Sequence, residues 1–540
     1  MDTPFPNQPP PFEGTNLFDA DRALRERVER EHPAELAGLR EWGRVLGQAE
    51  TFALADAANR HPPQLRTHDR RGERVDAVEF HPAWHELMTL ATNAGEHCAP
   101  WQREGATSHV ARAMRYYLHA QVENGTQCPV TMTYACMPVL RNHGHGLPAR
   151  STWIDALLAP GYDARTLPIA QKRAALVGMG MTERQGGSDV RSNRSACTWS
   201  ADGSARLDGH KWFFSAPQCD AHLVLAQAHE GITCFFVPRL LDDGSRNGIR
   251  INRLKDKLGN RSNASSEVEF EAAWAWPLGP RGRGVATILE MVQHTRLDCV
   301  IGSAGMMRGA LAWALHHARH RVAFGRLLID QPLMRNVLAD LALEIEAALA
   351  LALRIARCLD AEPGGRDREL ARIAIPAAKY WVCKRAPATI VEAMEVLGGN
   401  GYVEENPLPR LYREAPVNSI WEGSGNVIAL DVARARRDEG VIDALLEDLA
   451  SVRGADARLD RAISNQESTL NADVEPAAAR SVAQNLAVTL AAAELVRHAP
   501  GFVADAFCAS RLGGSWLDGA AFGNLHPGPS VDALVERSES

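Results

Sequence analysis

Several features that define other protein classes are missing from this chain of 540 residues. No uninterrupted apolar run is long enough to cross a bilayer, because charged residues interrupt the most apolar segment, 341–359, at helical spacings. The N-terminus lacks the basic start and apolar centre of a secretory signal, which predicts a cytoplasmic protein with no membrane partner. The ten cysteines form no CxxC pair, and the histidine clusters lack acidic or cysteine partners at a recognisable spacing. We therefore expect no metal site.

The negative charge is confined to one end of the chain. The formal net charge is -7, and residues 441–540 hold seven arginines, no lysine and 14 acidic residues, which accounts for all of it. Residues 1–440 therefore sum to zero. This distribution is not that of a typical nucleic-acid-binding domain, which is basic as a whole.

The periodicity of apolar residues changes along the chain. Helical spacings fill the first part, and short β-prone runs separated by Asp-Gly turns follow between about 180 and 280. Long helical patterns return at 285–321, 332–359, 368–397 and 425–437, which predicts a bundle. After a weakly structured stretch, 464–475, one more helical pattern occupies 477–498.

These changes predict a multidomain α+β protein. The expected domains are an N-terminal arm and helical domain (1–178), an antiparallel β-barrel (179–284), a four-helix bundle (285–440) and a C-terminal helical extension (441–540).

Three segments combine residue types that suit a large planar or phosphorylated ligand. Segment 178–189, GMGMTERQGGSD, offers glycines for close approach and the hydroxyls of Thr182 and Ser188, without the strand-GxGxxG-helix pattern of a dinucleotide fold. Segment 209–215, GHKWFFS, offers Trp212 to a flat ring, whereas a core β-strand is the favoured interpretation for Phe213 and Phe214 taken individually. Segment 320–326, HRVAFGR, offers an arginine for a diphosphate; a capped helix end with a surface arginine is the alternative.

One carboxylate, Glu422, stands between an apolar approach and a Gly-Ser-Gly turn that begins a helical pattern. The N–H groups of that turn could face an anion at the positive end of the helix, which makes Glu422 a candidate general base. Taken alone, the segment is more typical of a solvated loop.

Taken together, the segments resemble the acyl-CoA dehydrogenase family. TERQGGSD, GHKWFFS, KLGNRSNASSEVEF, RVAFG with the later Gln331, VLGGNGY and IWEGSGN follow the family's order and spacing over roughly residues 80–437. The N-terminal arm, the TERQGGSD variant, WEGSGN and the C-terminal extension resemble a subgroup linked to DNA alkylation damage. The chain departs from the family pattern at Arg184, where a proline is usual, and at Ser215 and Ser424, where threonines are usual.

The resemblance implies an FAD-dependent oxidoreductase and a homotetramer that carries out the α,β-dehydrogenation of an acyl-CoA-type substrate. FAD would be held by barrel and bundle residues, with Arg321, Phe324 and the Gly398-Gly399 turn reaching its adenine-diphosphate end from a neighbouring subunit. Glu422 would be the catalytic base. The implied cofactor ligands are Met179, Met181, Thr182, Gly187, Ser188, Trp212, Phe213, Phe214, Ser215, Arg321, Phe324, Gln331, Gly398, Gly399, Ile420, Trp421, Gly423, Ser424, Gly425 and Asn426.

The alternative is a flavoprotein that binds and protects DNA with little or no dehydrogenase turnover. The candidate contacts to double-stranded DNA are Arg434, Arg436, Arg437 and Arg511.

Overall fold

A computed structural model describes residues 7–102, 107–472, 475–513 and 521–539. The described chain divides into two compact units. Unit 1 comprises the residues up to Phe52, Ser108–Val122 and the chain from Arg296 onward. Unit 2 comprises Ala53–Thr107 and Glu123–Thr295. The domain bounds expected from the sequence stay a prediction.

Helices make up most of the described structure. They are α1 (Arg22–Glu31), α2 (Leu36–Leu46), α3 (Ala49–Arg60), α4 (Pro82–Asn93), α5 (His109–Ala120), α6 (Gln127–His143), α7 (Arg150–Leu158), α8 (Gly284–His320), α9 (Pro332–Asp360), α10 (Arg366–Val396), α11 (Pro407–Glu414), α12 (Gly425–Ala435), α13 (Glu439–Ala450), α14 (Ala457–Asn471), α15 (Ala479–His498), α16 (Gly501–Arg511) and α17 (Pro529–Glu539). Within the described ranges, none of them is both long and apolar enough to span a membrane.

The strands in the described part of the chain form three sheets. They are β1 (Gln64–His68), β2 (Arg74–Glu79), β3 (Val177–Gly180), β4 (Ala196–Trp199), β5 (Ala205–Ser215), β6 (Ala221–Ala228), β7 (Gly231–Pro238), β8 (Ile249–Leu254), β9 (Ser265–Leu278), β10 (Val322–Ala323) and β11 (Arg326–Leu327). Two of the sheets are small hairpins, β1–β2 in unit 2 and β10–β11 in unit 1.

The large sheet of unit 2 has seven strands in the order β3-β5-β4-β6-β7-β9-β8, and β5 also pairs with β9. Most neighbours are antiparallel, but β3 runs parallel to β6, with Val177 opposite Ala221, and β4 meets β6 in parallel as well. The expectation of a wholly antiparallel barrel is corrected on this point. Alternation of apolar residues shows which face of a strand is buried, but it does not show the direction of a partner that is distant in sequence.

The side chains inside this sheet come from alternate strand positions. Leu207, Phe214, Phe235, Val268 and Phe270 are buried together there, and the hairpin β1–β2 adds partly buried side chains at the edge. The alternation places Phe214 inside, while its neighbour Phe213 is 49% exposed.

Four long helices confirm the predicted bundle, and all but the first twelve residues of α8 belong to unit 1. The patterns at 285–321, 332–359, 368–397 and 425–437 correspond to α8, α9, α10 and α12, and each prediction ends within two residues of the observed helix. The apolar segment 341–359 lies in α9, where most of its side chains are buried.

The C-terminal extension contains more helix than the sequence indicated. The pattern at 477–498 corresponds to α15, but α13, α14, α16 and α17 were not predicted. The stretch 464–475, expected to be weakly structured, is helical as far as Asn471, because Leu459 and Ile463 place an apolar stripe on α14 that is buried. Residues 473 and 474 lie outside the described ranges.

Arginine–carboxylate pairs connect this extension to the bundle. The pairs within 3.5 Å that have a buried arginine side chain are Arg354 with Asp448, Arg511 with Asp340 and Glu344, and Arg537 with Glu346. Since the side chains of these arginines are at most 7% exposed and contact carboxylates, they contribute to the packing of α9 against the extension.

The N-terminal arm is anchored in unit 1. The ring of Phe12 packs against Trp313 of α8 at 5.0 Å between centroids, and Phe12 is buried. Asn7 forms hydrogen bonds with both the N–H and the carbonyl of Val322. The arm therefore ends beside the β10–β11 hairpin.

Candidate active site

The turn before α12 has an unusual backbone. Glu422 has φ +58° and Gly423 has φ +111°, so a glutamate occupies the left-handed region next to a glycine. For a residue with a Cβ atom this conformation costs roughly 1–3 kcal/mol and persists only where the surroundings enforce it. The direction of the Glu422 side chain is thus fixed by neighbouring structure rather than by local preference.

Two buried cations enforce the turn through its carbonyl groups. Arg296 of α8 donates from Nε to the carbonyl of Glu422 at 3.0 Å, and Lys379 of α10 donates from Nζ to the carbonyl of Gly423 at 2.9 Å. Arg296 is 4% exposed and Lys379 is 2% exposed. Hydrogen bonds from charged donors are stronger than neutral ones, so they can hold a strained turn.

Asp431 on α12 neutralises part of this charge. It accepts from Arg296 at 2.6 Å and from Arg372 at 2.8 Å. Burial alone would raise the pKa of Asp431, but the two guanidinium groups outweigh burial and lower it. Asp431 is therefore ionised, and it fixes Arg296 for its contact with Glu422.

The start of α12 is open to an anion. Its N-cap residue, Ser424, makes no side-chain hydrogen bond to the first turn. A Cβ atom at Gly425 would lie only 2.7 Å from Cε of Lys384, so the glycine allows this lysine to approach the helix start. Helix N-termini attract negative charge through their unbonded N–H groups.

A second set of cations surrounds this helix start without carboxylate partners. Arg480 of α15 donates from Nε to the hydroxyl of Tyr380 at 2.8 Å and from Nη1 to Oδ1 of Asn426 at 3.4 Å. Lys384 lies over the ring of Tyr380 at 5.6 Å. Within the described residues, neither Lys384 nor Arg480 has a carboxylate oxygen within 4.0 Å. Burial and the nearby Arg480 lower the pKa of Lys384, as expected for cations that share a site.

The two residues before Glu422 are placed differently. Ile420 is exposed, whereas Trp421 is half-buried and donates from its indole N–H to Oδ1 of Asn418 at 2.9 Å. Asn418 in turn donates to the hydroxyl of Ser303 at 3.1 Å. This chain of hydrogen bonds fixes the approach to the turn.

In unit 2, the glycine-rich segment is anchored by a buried ion pair. Glu183 accepts from Nζ of Lys211 at 2.7 Å and from the backbone N–H groups of Arg194 and Ser195. Burial would raise the pKa of Glu183, but Lys211 and these N–H groups outweigh burial and lower it to about 2. Burial lowers the pKa of Lys211 to about 8. The pair ties the segment to β5, a role that the sequence analysis did not assign to Glu183.

Beyond this anchor, hydroxyl groups of unit 2 are available to a ligand. The side chains of Thr182, Ser188 and Ser215 make no hydrogen bond within the described residues. Gly187 leaves no room for a Cβ atom, which would lie 2.6 Å from Oγ1 of Thr182, while Gly186 faces open space. These hydroxyls and the open glycine suit the polar edge and the phosphates of FAD, so the residues present fit that cofactor.

The aromatic residues of β5 have separate roles. Trp212 is half-buried with Nζ of Lys255 at 3.9 Å from its ring centroid, and its backbone N–H donates to the carbonyl of Thr182. Phe213 is partly exposed and remains a candidate contact, as do the more buried Met179 and Met181. Phe214 is fully buried and packs against Phe270 in the barrel core. This placement corrects the expectation that the Phe214 side chain contacts the cofactor.

The segment around the β10–β11 hairpin lies in unit 1. Arg321 donates to the carbonyl of Asn7 at 2.6 Å, and Gln331 donates to the carbonyl of Ala323 at 3.0 Å, so both side chains support local structure. Phe324 has φ +52° and is fully exposed. Gly398, with φ +58°, and Gly399 both face open space. No described residue covers the ring of Phe324.

The four arginines proposed for DNA fall into two groups. Arg434 and Arg437 are exposed. Arg436 donates to the carbonyls of Thr469 and Ala472, and Arg511 is buried against Asp340 and Glu344. The expectation for Arg436 and Arg511 is corrected accordingly, because these guanidinium groups are already used inside the protein. Among the described residues, no group of three or more His, Cys, Asp or Glu could hold a metal ion.

Models of known families match most of the chain. Residues 7–164 match the "Adaptive response protein AidB N-terminal domain", residues 178–273 the "Acyl-CoA dehydrogenase, middle domain" and residues 282–436 the "Acyl-CoA dehydrogenase, C-terminal domain". AidB of Escherichia coli (strain K12) is 49% identical over 506 residues, which cover 93% of each chain. The chain belongs to the acyl-CoA dehydrogenase family. Members of this family are FAD-dependent oxidoreductases.

Solved structures and a second relative agree with this membership. Acyl-CoA dehydrogenase family member 11 of Caenorhabditis elegans is 29% identical over 77% of this chain and 69% of its own length. The structure of Caenorhabditis elegans ACDH-11 in complex with C11-CoA has a TM-score of 0.82 and 25% identity, covering 100% of this chain and 93% of that chain. The structure titled "Bd2924 apo-form" has a TM-score of 0.83 and 27% identity, covering 92% and 100%.

Several residues around Glu422 were missed by the sequence analysis. Arg296 and Lys379 carried a usable signal, because each is a lone cation on the apolar face of a long helical pattern, where an unpaired charge is costly. Arg480 carried none. It lies far along the chain, and only the packing of α15 brings it to Asn426.

Proposed function

We propose that this chain is an FAD-dependent dehydrogenase of acyl-CoA-type thioesters in which Glu422 is the general base. The observation that supports this role best is the backbone at Glu422, which is kept in the left-handed region by buried Arg296 and Lys379 in front of an uncapped helix start. A positioned carboxylate of this kind can remove the α-proton of a bound thioester. When bound, FAD supplies the acceptor for the hydride that leaves the β-carbon.

We propose Thr182, Ser188 and Ser215 as hydrogen-bonding residues for this cofactor in unit 2. Their hydroxyls have no other hydrogen bond within the described residues, and the pair of Glu183 and Lys211 keeps the segment in place. Conservative replacement by alanine should weaken FAD binding without unfolding the barrel. Retention of FAD by dialysed protein, followed by its absorbance, measures this effect.

Replacement of Glu422 by glutamine tests the base. Glu422→Gln keeps the size of the side chain and removes its proton-accepting charge, so kcat/KM for acyl-CoA oxidation should fall by about 10²- to 10⁴-fold. Exchange of the substrate α-proton in D₂O should fall in parallel. Glu404→Gln is the matched control, because Glu404 is an exposed carboxylate paired with Arg413. If α-proton exchange persists in Glu422→Gln, then Glu422 is not the base.

DNA binding is the second candidate function, and the exposed guanidinium groups of Arg434 and Arg437 support it. They would contact phosphates without reading sequence. A gel-shift titration against salt tests the proposal: the double replacement Arg434→Gln with Arg437→Gln should weaken binding and reduce its salt dependence by about two charges. Absence of any shift by the unaltered protein at low ionic strength would exclude this function.

We also propose a homotetramer. The support is a set of large apolar side chains of unit 1 that are exposed in the single chain, with Phe324 at 100%, Leu333 at 84% and Tyr402 at 81%. Exposed apolar surface of this kind is typical of interaction sites. Light scattering coupled to size-exclusion chromatography should give four times the chain mass, and Phe324→Ser with Leu333→Ser should lower it.

A further inference from the structure

Unit 2 contains a cavity at the end of β3 opposite to the glycine-rich segment. Its volume is about 240 Å³, and its lining includes Val78, Tyr162, Leu176, Gln218, Arg239 and Arg246. Leu176 immediately precedes β3, whereas Met181 and Thr182 follow it. A strand of this length spans about 13 Å, so the cavity is separate from the residues proposed for FAD. Since an apolar cavity of about 150 Å³ already holds a benzene ring, this one can hold a substituted ring.

The charges around the cavity do not balance. Its three carboxylates are each held by a cation: Asp76 by Arg74 at 3.0 Å, Asp163 by Arg165 at 2.7 Å and Asp220 by Lys172 at 3.0 Å. Two further lining cations remain. Within the described residues, the Arg239 side chain donates only to the hydroxyl of Thr166, and Arg246 shares Asp76 with Arg74 at the longer distance of 3.9 Å. The excess positive charge favours an anionic ligand.

One amide in the lining lacks partners. Both Nε2 and Oε1 of Gln218 are buried, and neither has a hydrogen bond within the described residues. Burial of an amide without partners is unfavourable, so such groups normally meet a ligand or ordered water. Because an amide presents one donor and one acceptor side by side, Gln218 suits a ring edge that offers the complementary pair.

One wall of the cavity is aromatic. His85 and Tyr162 are stacked with 5.8 Å between centroids, and both line the cavity together with Phe80. Flat apolar surfaces of this kind pack against planar rings. The cavity thus combines an aromatic wall, an unpartnered amide and two surplus guanidinium groups.

We propose that this cavity is a second ligand site, which binds a compact planar organic anion: a single ring with an amide-like edge for Gln218 and a carboxylate or phosphate group for Arg239 and Arg246. The site lies within unit 2 and does not depend on Glu422 or on dehydrogenase activity. Its ligand is therefore a regulator or a cargo of the protein and not the acyl thioester.

Saturation-transfer NMR and calorimetry on the FAD-loaded protein test this proposal with matched probes. Orotate carries both the ring edge and the carboxylate, benzoate lacks the edge, uracil lacks the charge, and inorganic phosphate is an anion alone. We expect orotate to bind at least about tenfold more tightly than the other three, because only orotate satisfies both groups. Equal binding of all four probes, or no binding of orotate at millimolar concentration, would overturn the proposal.

Two substitutions separate the contributions. Arg239→Gln should weaken orotate and benzoate by about tenfold, and Arg239→Lys should restore part of the loss. Gln218→Leu should weaken orotate by about fivefold and leave benzoate unchanged. Arg206→Gln, an exposed arginine of β5 outside the cavity lining, is the control and should change neither. If Gln218→Leu weakened benzoate as much as orotate, the assignment of the amide to the ring edge would be wrong.

Discussion

Arg511 and Arg480 both belong to the C-terminal extension, yet they occupy opposite electrostatic settings. The Arg511 side chain is 7% exposed and lies between Asp340 at 2.5 Å and Glu344 at 3.0 Å. Arg480 is exposed and contacts a hydroxyl and an amide beside the start of α12. Burial opposes the charge of Arg511, but the two carboxylates outweigh burial and raise the pKa of Arg511.

The difference separates a structural cation from a ligand-binding one. A buried guanidinium group is tolerated because its attraction to carboxylates offsets the desolvation penalty. Its N–H donors are then occupied and cannot bind a ligand. A cation that contacts only neutral groups can still bind an anionic ligand. The extension is acidic as a whole, yet at α12 it presents a positive charge, so net charge alone misjudges what it can bind.

The largest effect is expected from a substitution at Arg511, the arginine that is paired with buried carboxylates. Arg511→Met leaves Asp340 and Glu344 buried with less compensation, which should lower the local stability of α9 and α16 by about 3–5 kcal/mol. Native-state hydrogen exchange read by mass spectrometry reports the opening free energy of these helices. Arg480→Met is the control and should change it by less than about 1 kcal/mol. Equal losses in the two variants would remove the distinction between them.

The buried arginine–carboxylate pairs could not be predicted from the sequence, for a physical reason. Helical periodicity located α9 and α15 within a few residues, because it records which face of each helix is apolar. It does not record which arginine meets which carboxylate. Arg511 and Asp340 are distant in sequence, so their pairing appears only when the helices are packed.

Local alternation within β5 distinguishes its two phenylalanines. Successive residues of a strand face opposite sides, so the exposed Phe213 and the buried Phe214 of β5 could have been separated before the structure was known. The order of the family's motifs predicts Glu422 as the candidate base. It did not give the left-handed backbone at Glu422, since that depends on Arg296 and Lys379 from two other helices.

A second prediction concerns a cation that is buried, as Arg511 is, but contacts a neutral group, as Arg480 does. Lys379 is buried like Arg511 but donates to a main-chain carbonyl beside Glu422. Lys379→Met should release the turn and lower kcat/KM by about 10²-fold, because displacement of a catalytic group by about 1 Å has an effect of that size. The fall should appear in kcat and not in KM. Arg366→Met, which removes an exposed cation at the first residue of the same helix, is the control and should leave kcat unchanged.

A third prediction uses pH to isolate the Arg511 pair. Burial alone would raise the pKa of Glu344, but Arg511 and Arg385 outweigh burial and lower it below 4.5. The pair therefore stabilises the folded protein above about pH 4.5, and this contribution is lost as pH falls through the lower pKa of the folded state. Calorimetric melting temperatures of the unaltered protein and Arg511→Met should converge below pH 4.5. Curves that stay parallel down to pH 3.5 would show that the loss in Arg511→Met is not electrostatic.

The smallest effect is expected from a substitution at Arg480, the arginine that has no carboxylate partner within the described residues. Arg480→Gln removes a solvated charge beside Asn426, and solvated charges contribute at most about 1 kcal/mol, which corresponds to about a fivefold change. KM for an anionic acyl thioester should therefore rise about fivefold at low salt, while kcat and the melting temperature stay constant. The difference should disappear near 0.5 M salt, where exposed charges are screened over a few ångströms. A rise in KM that persists at high salt would show that Arg480 acts by packing against Tyr380, in the manner of Arg511, and that the two arginines differ less than their surroundings indicate.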